Sequence, residues 1–170
     1  TILNQLPFRV KINPSQRLTI AKQAGLPVYL MQFQEQRVTQ AHASGDVFDI
    51  RSELSGNGNI LKAGKTTSLI VNIDVKKDIR AEYVMVEIPI PASCSYTKGD
   101  KRSPQETHRE YYKDRVNIYL ERLSMGSHRF EIDLLPRFSG VFHLNPAQIS
   151  LMYIPVINAN NDMAVVRVSE

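Results

Sequence analysis

The chain has 170 residues, enough for one large domain or for one domain with a fragment of another. Its net charge is +4, with both signs mixed along the chain, so no run of Lys and Arg indicates a nucleic-acid partner. No apolar run reaches the roughly 18 residues that span a membrane, and we expect no direct membrane insertion. Cys94 is the only cysteine, which excludes an internal disulfide and a cysteine-based zinc site. The sequence begins Thr1-Ile2-Leu3-Asn4, without a signal-peptide pattern, so we expect a piece of a larger protein.

Segments in which apolar and polar side chains alternate recur along the whole chain. Because successive side chains of a strand point to opposite faces, each such segment offers one apolar face to a core. The predicted strands are Phe8–Ile12, Val47–Ile50, Leu69–Val75, Tyr83–Ile88, Val116–Glu121, Phe130–Leu134, Val141–Leu144, Ile149–Tyr153 and Val165–Val168. Within Ile149–Tyr153, we expect Met152 and Tyr153 to point one inward and one outward.

Turn-forming residues, mainly Gly, Pro, Asn and Ser, separate these segments. Short strands with regular turns predict an all-β fold, an antiparallel β-sandwich of immunoglobulin-like architecture. The best helix candidate, Glu106–Leu123, alternates like a strand in its second half.

A small, polar stretch at residues 39–45 marks a predicted domain boundary. About three strands precede it, too few to close a sandwich, and about eight follow it. We therefore predict strands of an incomplete β-domain over residues 1–45 and a complete sandwich over residues 46–170.

The motifs that carry chemistry are weak in this chain. Gly58–Thr66 resembles a phosphate-binding loop, but five residues rather than four separate its glycines and a strand follows where a helix is needed. The histidines have no metal-binding spacing, and no Gly-x-Ser-x-Gly elbow is present. We predict no catalytic residue, no metal and no cofactor.

A segment rich in charges and tyrosines runs from Tyr96 to Arg115. A loop of this length in a compact domain is functional or mobile. It is either a solvated hairpin connection or an interface, because Tyr and Arg are common at interface hot spots. The candidate interface residues are Tyr96, Arg109, Tyr111, Tyr112 and Arg115.

The ordered series of segments in the second part of the chain resembles the C-terminal macroglobulin domain of bacterial alpha-2-macroglobulins. The resemblance covers residues 46–170. One stretch departs from the family pattern, because it ends Pro-Ala-Gly in the family and Pro91-Ala92-Ser93 here. The segments that carry it are Leu61–Lys65, Tyr83–Ala92, Asp114–Val116, Leu123–Phe130, Pro136–Phe142, Asn145–Ala147 and Met152–Pro155. The family positions expected to be structural are Gly64, Pro89, Pro91, Gly126, Pro136, Arg137, Gly140, Pro146, Met152, Tyr153 and Pro155.

The resemblance implies a non-catalytic β-domain of a protease inhibitor that traps proteases, packed against a region that carries a thioester. It implies other domains of the same full-length chain as partners, proteases as partners of the parent protein, and a periplasmic or cell-surface location. It also implies that residues 1–45 return from an inserted helical domain. The thioester motif itself is absent, because Glu35-Gln36 follow no nearby cysteine.

A second function class remains open, that of a cell-surface β-sandwich for adhesion or glycan binding. Such a module needs an exposed aromatic platform or a calcium site. The chain has no Trp and no Asp-rich loop, which disfavours this class. A cytosolic enzyme is disfavoured by the lack of a recognisable catalytic constellation.

Overall fold

A computed structural model describes residues 8–13, 15–22, 24–32, 39–56, 58–97 and 101–170. The chain divides into two compact units, residues 1–36 and 37–170. In the first unit the described residues form no strand, and side chains such as Tyr29 are exposed. The strand predicted at Phe8–Ile12 is therefore wrong for this chain, because alternation supplies a face but a strand also needs a paired neighbour. The assignment of residues 1–45 to a preceding domain stays a prediction.

The second unit is built from short strands, most of them alternating in burial. The strands are β1 (Phe48–Leu54), β2 (Ile60–Lys62), β3 (Thr67–Val75), β4 (Ala81–Pro89), β5 (Cys94–Tyr96), β6 (His108–Tyr111), β7 (Arg115–Leu123), β8 (Gly126–Pro136), β9 (Gly140–Leu144), β10 (Gln148–Leu151), β11 (Ile154–Asn160) and β12 (Ala164–Ser169). The described part of the chain contains no helix that is long and apolar enough to cross a membrane.

The described residues of this unit form three sheets. A four-stranded sheet has the order β1-β3-β8-β5, a five-stranded sheet the order β11-β10-β4-β7-β6, and a three-stranded sheet the order β2-β12-β9. All strand pairs are antiparallel except β2 with β12. The all-β sandwich predicted from the sequence is confirmed, with one parallel pair that the alternation did not indicate.

The core lies between the apolar faces of these sheets. Fully buried side chains include Phe48 of β1, Phe130 of β8 and Ile118 of β7. Burying one such side chain stabilises the fold by about 1.5–3 kcal/mol. A shift of one residue in strand pairing would move these side chains to the solvent, so the period-2 pattern fixes the register. Cys94, the first residue of β5, is also buried in this core.

Gly45 shapes the entry of the chain into β1. Ser44 forms an isolated bridge with Asn160 at the end of β11, and Gly45 has a φ of 140°. A Cβ at this glycine would collide with the side chain of Ala159 and lie 2.8 Å from the carbonyl oxygen of Phe48. Only glycine fits there without displacing the backbone.

Candidate interaction site

A buried ion pair lies where the five-stranded sheet meets the four-stranded sheet, and its arginine belongs to the first sheet and bonds to the second. Arg109 of β6 donates from Nε to Oε2 of Glu106 at 2.8 Å and from Nη2 to Oε1 at 2.5 Å, and both side chains are 1% exposed. Its Nη1 donates to the carbonyl oxygen of Glu131 in β8 at 3.1 Å. Burial is the largest single influence and by itself lowers the pKa of the Arg109 guanidinium. The hydrogen bonds and charges of Glu106 and Tyr111 together exceed it, so the pKa is raised overall. Arg109 therefore acts as an internal tie between the sheets.

The five predicted interface residues divide into an inner and an outer group. Tyr96 and Tyr111 are half-buried, pack against the core, and have ring centroids 4.7 Å apart. Together with Arg109 they lie inside the domain. Tyr112 and Arg115 lie at the surface, where the guanidinium stands 4.7 Å from the centroid of the tyrosine ring. An interface role remains a prediction, and the outer pair is the part that a partner can reach.

The segment Tyr96–Arg115 is not the single long loop that the sequence predicted. Residues His108–Tyr111 form β6, which pairs with β7. The charges misled the prediction, because the polar residues of this edge strand bond to one another and to the ends of neighbouring strands. Residues 98–100 lie outside the described residues.

A carboxylate on the outer face of β6 organises the polar side chains around it. Oε2 of Glu110 accepts hydrogen bonds from the hydroxyls of Tyr112 at 2.7 Å and Tyr119 at 2.9 Å. These bonds, first that of Tyr112 and then that of Tyr119, lower the pKa of Glu110. His108 adds a contact of 3.7 Å to the other carboxylate oxygen. The cluster holds the edge strand to β7 through side chains as well as through the backbone ladder.

An open cleft of about 620 Å³ lies beside this cluster. Its charged lining residues balance, with Lys113 and Arg115 against Glu87 and Asp114. The cleft therefore favours neither anions nor cations. Among the described residues, no group of His, Cys, Asp and Glu is placed to hold a metal ion.

The turn between β10 and β11 exposes large apolar side chains. Met152 is 44% and Tyr153 76% exposed, so the expectation that one of them points inward is wrong. The alternation ends at Leu151, where the chain leaves the strand, and the two residues form the turn instead. The Tyr153 ring packs edge-on against Tyr83 of β4 at 5.2 Å.

Backbone and side-chain bonds brace this turn. The amide of Met152 donates to the carbonyl oxygen of Tyr83 at 2.8 Å. Tyr83 has a φ of 54°, a left-handed conformation that is uncommon for a bulky residue. A register shift follows the turn, because Leu151 pairs with Ile154 while Ser150 pairs with Asn158.

The register shift leaves Pro155, Val156 and Ile157 without partners in the ladder, as a three-residue bulge. The side-chain amide of Asn158 donates to the carbonyl oxygen of Pro155 at 2.7 Å and closes the bulge. Ile154 and Val156 expose their side chains beside the turn. We call the set Tyr83, Met152, Tyr153, Ile154 and Val156 the apolar tip.

Sequence reasoning placed only Met152, Tyr153 and Pro155 among the residues of interest in this region. It missed Tyr83, Asn158 and the bulge. The sequence did carry a signal for an exposed apolar surface here. The six residues from Met152 to Ile157 include no charged side chain and do not alternate, whereas a half-buried strand does.

The comparison with protein families decides the relationship of this chain. The model described as "Bacterial Alpha-2-macroglobulin MG10 domain" matches residues 38–155. The chain belongs to this MG10 domain family. The resemblance found in the sequence is thereby confirmed, and the search of curated proteins returned no match.

Solved structures share the MG10 fold. Native alpha-2-macroglobulin from Escherichia coli, spanning domain MG7 to the C-terminus, superposes with a TM-score of 0.67 at 12% identity. The match covers 75% of this chain and 24% of that one. Salmonella alpha-2-macroglobulin reacted with methylamine superposes with a TM-score of 0.67 at 14% identity, covering 78% of this chain and 10% of that one. The MG10 chain thus spans a small part of the proteins that it matches.

A third structure extends the likeness of fold beyond macroglobulins. The cohesin module of a family 33 glycoside hydrolase from Clostridium perfringens superposes with a TM-score of 0.51 at 14% identity. The match covers 73% of this chain and 98% of that module. This likeness concerns the sandwich architecture alone.

The remaining family positions of the MG10 domain lie at turns and strand ends. Gly64 and Gly126 have positive φ values of 75° and 118° at turns, and Gly140, with a φ of 145°, opens β9. Pro89 and Pro136 end β4 and β8, as expected for residues that cannot donate to a ladder. The carbonyl oxygen of Pro91 accepts a hydrogen bond from the amide of Cys94 in the turn before β5. Pro146 precedes β10, and Pro155 lies in the bulge of β11. Arg137 donates from Nε to Oγ of Ser95 at 2.9 Å.

Proposed function

We propose that this MG10 domain is a non-catalytic part of a bacterial alpha-2-macroglobulin-like protease trap, located in the periplasm or at the cell surface. In this proposal the apolar tip packs against the thioester-carrying region of the same full-length chain and helps to hold its resting state. Proteases are then partners of the parent protein and not of this domain. The observation that carries the proposal is the exposed and braced apolar tip.

The composition of the apolar tip supports a contact with protein. Contiguous apolar side chains at a surface mark interaction sites, and burying each large one contributes about 1.5–3 kcal/mol. The contact between Tyr83 and Tyr153 and the bond from Asn158 hold the tip in one conformation. A preorganised surface loses little conformational entropy on binding, so more of the burial energy remains for the contact.

The first unit fits the same proposal. Its described residues expose apolar side chains at alternating positions, including Phe8, Val10 and Ile12. Apolar side chains at alternating positions are typical of a strand whose apolar face is covered in a sheet. We propose that residues 1–45 belong to the preceding domain and become strands only when they pair with strands from the rest of the full-length protein.

The experiment compares variants of the full-length protein in its resting state. Tyr153→Ala removes the largest exposed side chain of the apolar tip. Met125→Ala is the matched control, because Met125 is 62% exposed at the turn between β7 and β8. The readouts are the rate of thiol release by methylamine before any protease is added, and the fraction of added protease that is retained.

Loss of about 1.4 kcal/mol of packing should speed thiol release roughly tenfold in Tyr153→Ala and leave Met125→Ala like the wild type. Tyr153→Phe keeps the ring and should behave like the wild type. Equal thiol release and equal protease retention in all variants would show that the apolar tip does not hold the resting state.

A further inference from the structure

The outer face of the three-stranded sheet mixes aliphatic and basic side chains. The inward residues Leu61, Leu144 and Val166 are buried, so their neighbours along each strand point outward. Register places Arg167 of β12 directly between two aliphatic residues, with Ile60 of β2 on one side and Val141 of β9 on the other. We call the set Ile60, Lys62, Val141, His143, Val165 and Arg167 the basic aliphatic face.

The side chains of this face are open to a partner. Ile60 and Val141 are each 61% exposed, and Val165 is 45% exposed. Outward positions of a sandwich sheet that faces water are normally polar, so an outward aliphatic residue on each of the three strands is unusual there. The basic aliphatic face therefore has the composition of a surface that a binding partner covers.

The charges of the basic aliphatic face are uncompensated. Strands β2, β9 and β12 contain no Asp or Glu. Among the described residues, no acidic side chain pairs with Lys62 or Arg167. The outer face of the four-stranded sheet differs, because Arg51 there pairs with Asp74 at 2.5 Å. A partner of the basic aliphatic face must supply the carboxylate that the domain itself lacks.

The position of Arg167 in the face favours a protein partner over a lipid surface. Membrane insertion of an apolar surface places its side chains about 5–10 Å into the acyl boundary. Here Arg167 lies between Ile60 and Val141 in the sheet. These aliphatic side chains cannot enter the acyl region of a membrane without bringing the guanidinium close to it. A facing protein surface can instead meet Arg167 with a bidentate carboxylate and cover both aliphatic neighbours.

We propose that the basic aliphatic face docks an acidic, apolar-centred surface of another domain of the same full-length protein. This chain covers only 24% and 10% of the two alpha-2-macroglobulin chains described above, so most of the protein lies outside it. The proposal rests on membership of the MG10 family and is independent of the apolar tip, whose variants test a different contact.

The experiment measures maleimide labelling of single cysteine variants in the full-length protein, with the labelled position identified by mass spectrometry. Val141→Cys reports on the face, and Glu53→Cys on the exposed outer side of β1 is the matched control. Each native rate is divided by the rate in denaturant. We expect Val141→Cys to be labelled at least about tenfold more slowly than the control in the native protein.

The charge is tested in the same background. Adding Arg167→Glu should return the labelling of Val141→Cys to the rate of the control, whereas Arg167→Lys should preserve protection. If Val141→Cys perturbs folding, Val165→Cys reports on the same face. Equal labelling of face and control overturns the proposal. Protection that requires phosphatidylglycerol vesicles, or that rises with protein concentration, also overturns it, in favour of a lipid or of a second copy.

Discussion

At the residue scale, two backbone positions show how tightly the sandwich constrains its chain. Tyr83 adopts a left-handed φ of 54° although its side chain is bulky, and such conformations persist only where neighbouring structure enforces them. Gly45 is constrained by space, because β11 lies so close to its backbone that no side chain fits there. One position supports the apolar tip and the other seals the entry to β1.

Gly45→Ala should lower the free energy of unfolding by about 2–4 kcal/mol, because the new methyl group collides with Ala159 and the φ of 140° strains an alanine. Urea denaturation followed by circular dichroism measures the loss. Gly56→Ala is the control, since Gly56 also has a positive φ but a Cβ added to it would meet no other atom within 4 Å. This substitution should cost only about 1 kcal/mol. Equal losses would show that close approach at Gly45 is unimportant.

At the element scale, carboxylates on the outer faces tie neighbouring strands or loops together. The hydroxyl of Ser127 in β8 lowers the pKa of Asp74 in β3, and the ammonium of Lys101 lowers the pKa of Glu131. Glu110 is held in the same way by Tyr112 and Tyr119. A carboxylate whose pKa is lowered by folding stabilises the fold above its ordinary pKa. That contribution is lost as the pH falls through the lowered value.

The tyrosine bonds to Glu110 predict a specific titration. Tyr112→Phe should raise the pKa of Glu110, because its first hydrogen-bond donor is lost, and Tyr119→Phe should raise it as well. Carbon-13 NMR of the side-chain carboxyl measures the change. Tyr153→Phe, which alters a distant tyrosine at the apolar tip, should leave this pKa unchanged. An unaltered pKa in Tyr112→Phe would refute the assignment.

Alternation predicted most strands of four or more residues, but it missed the three-residue strands, β6 and the seven-residue β11. Strands β3, β7 and β8 each contain an alternating segment and were found from it. Strands β2 and β5 have three residues each, too few to show a period. The buried Arg109 could not be predicted, because its charge is compensated by Glu106 and a carbonyl group of another sheet. The apolar tip depends on a register shift that local pattern does not encode.

At the scale of the whole molecule, the hydrophobic core belongs to one unit. Every buried apolar side chain of the described residues lies between Phe48 and Val168. A segment with its own core has what it needs to fold alone. The family match at residues 38–155 covers most of the same region.

A fragment of residues 37–170 should therefore fold cooperatively by itself. We expect a strand-rich circular dichroism spectrum and a single urea transition, because the sheets and the core lie within it. Circular dichroism is the suitable probe, since the chain has no Trp. A broad or absent transition would show that the sandwich needs further parts of the protein.

The sulfhydryl of Cys94 has a practical consequence for work on the full-length protein. It is buried, and burial raises its pKa, so at neutral pH it stays protonated and shielded from reagents. Thiolate is the form that reacts with Ellman's reagent. This domain therefore contributes almost no background to such a titration, and any colour that develops under native conditions reports on a cysteine elsewhere in the parent.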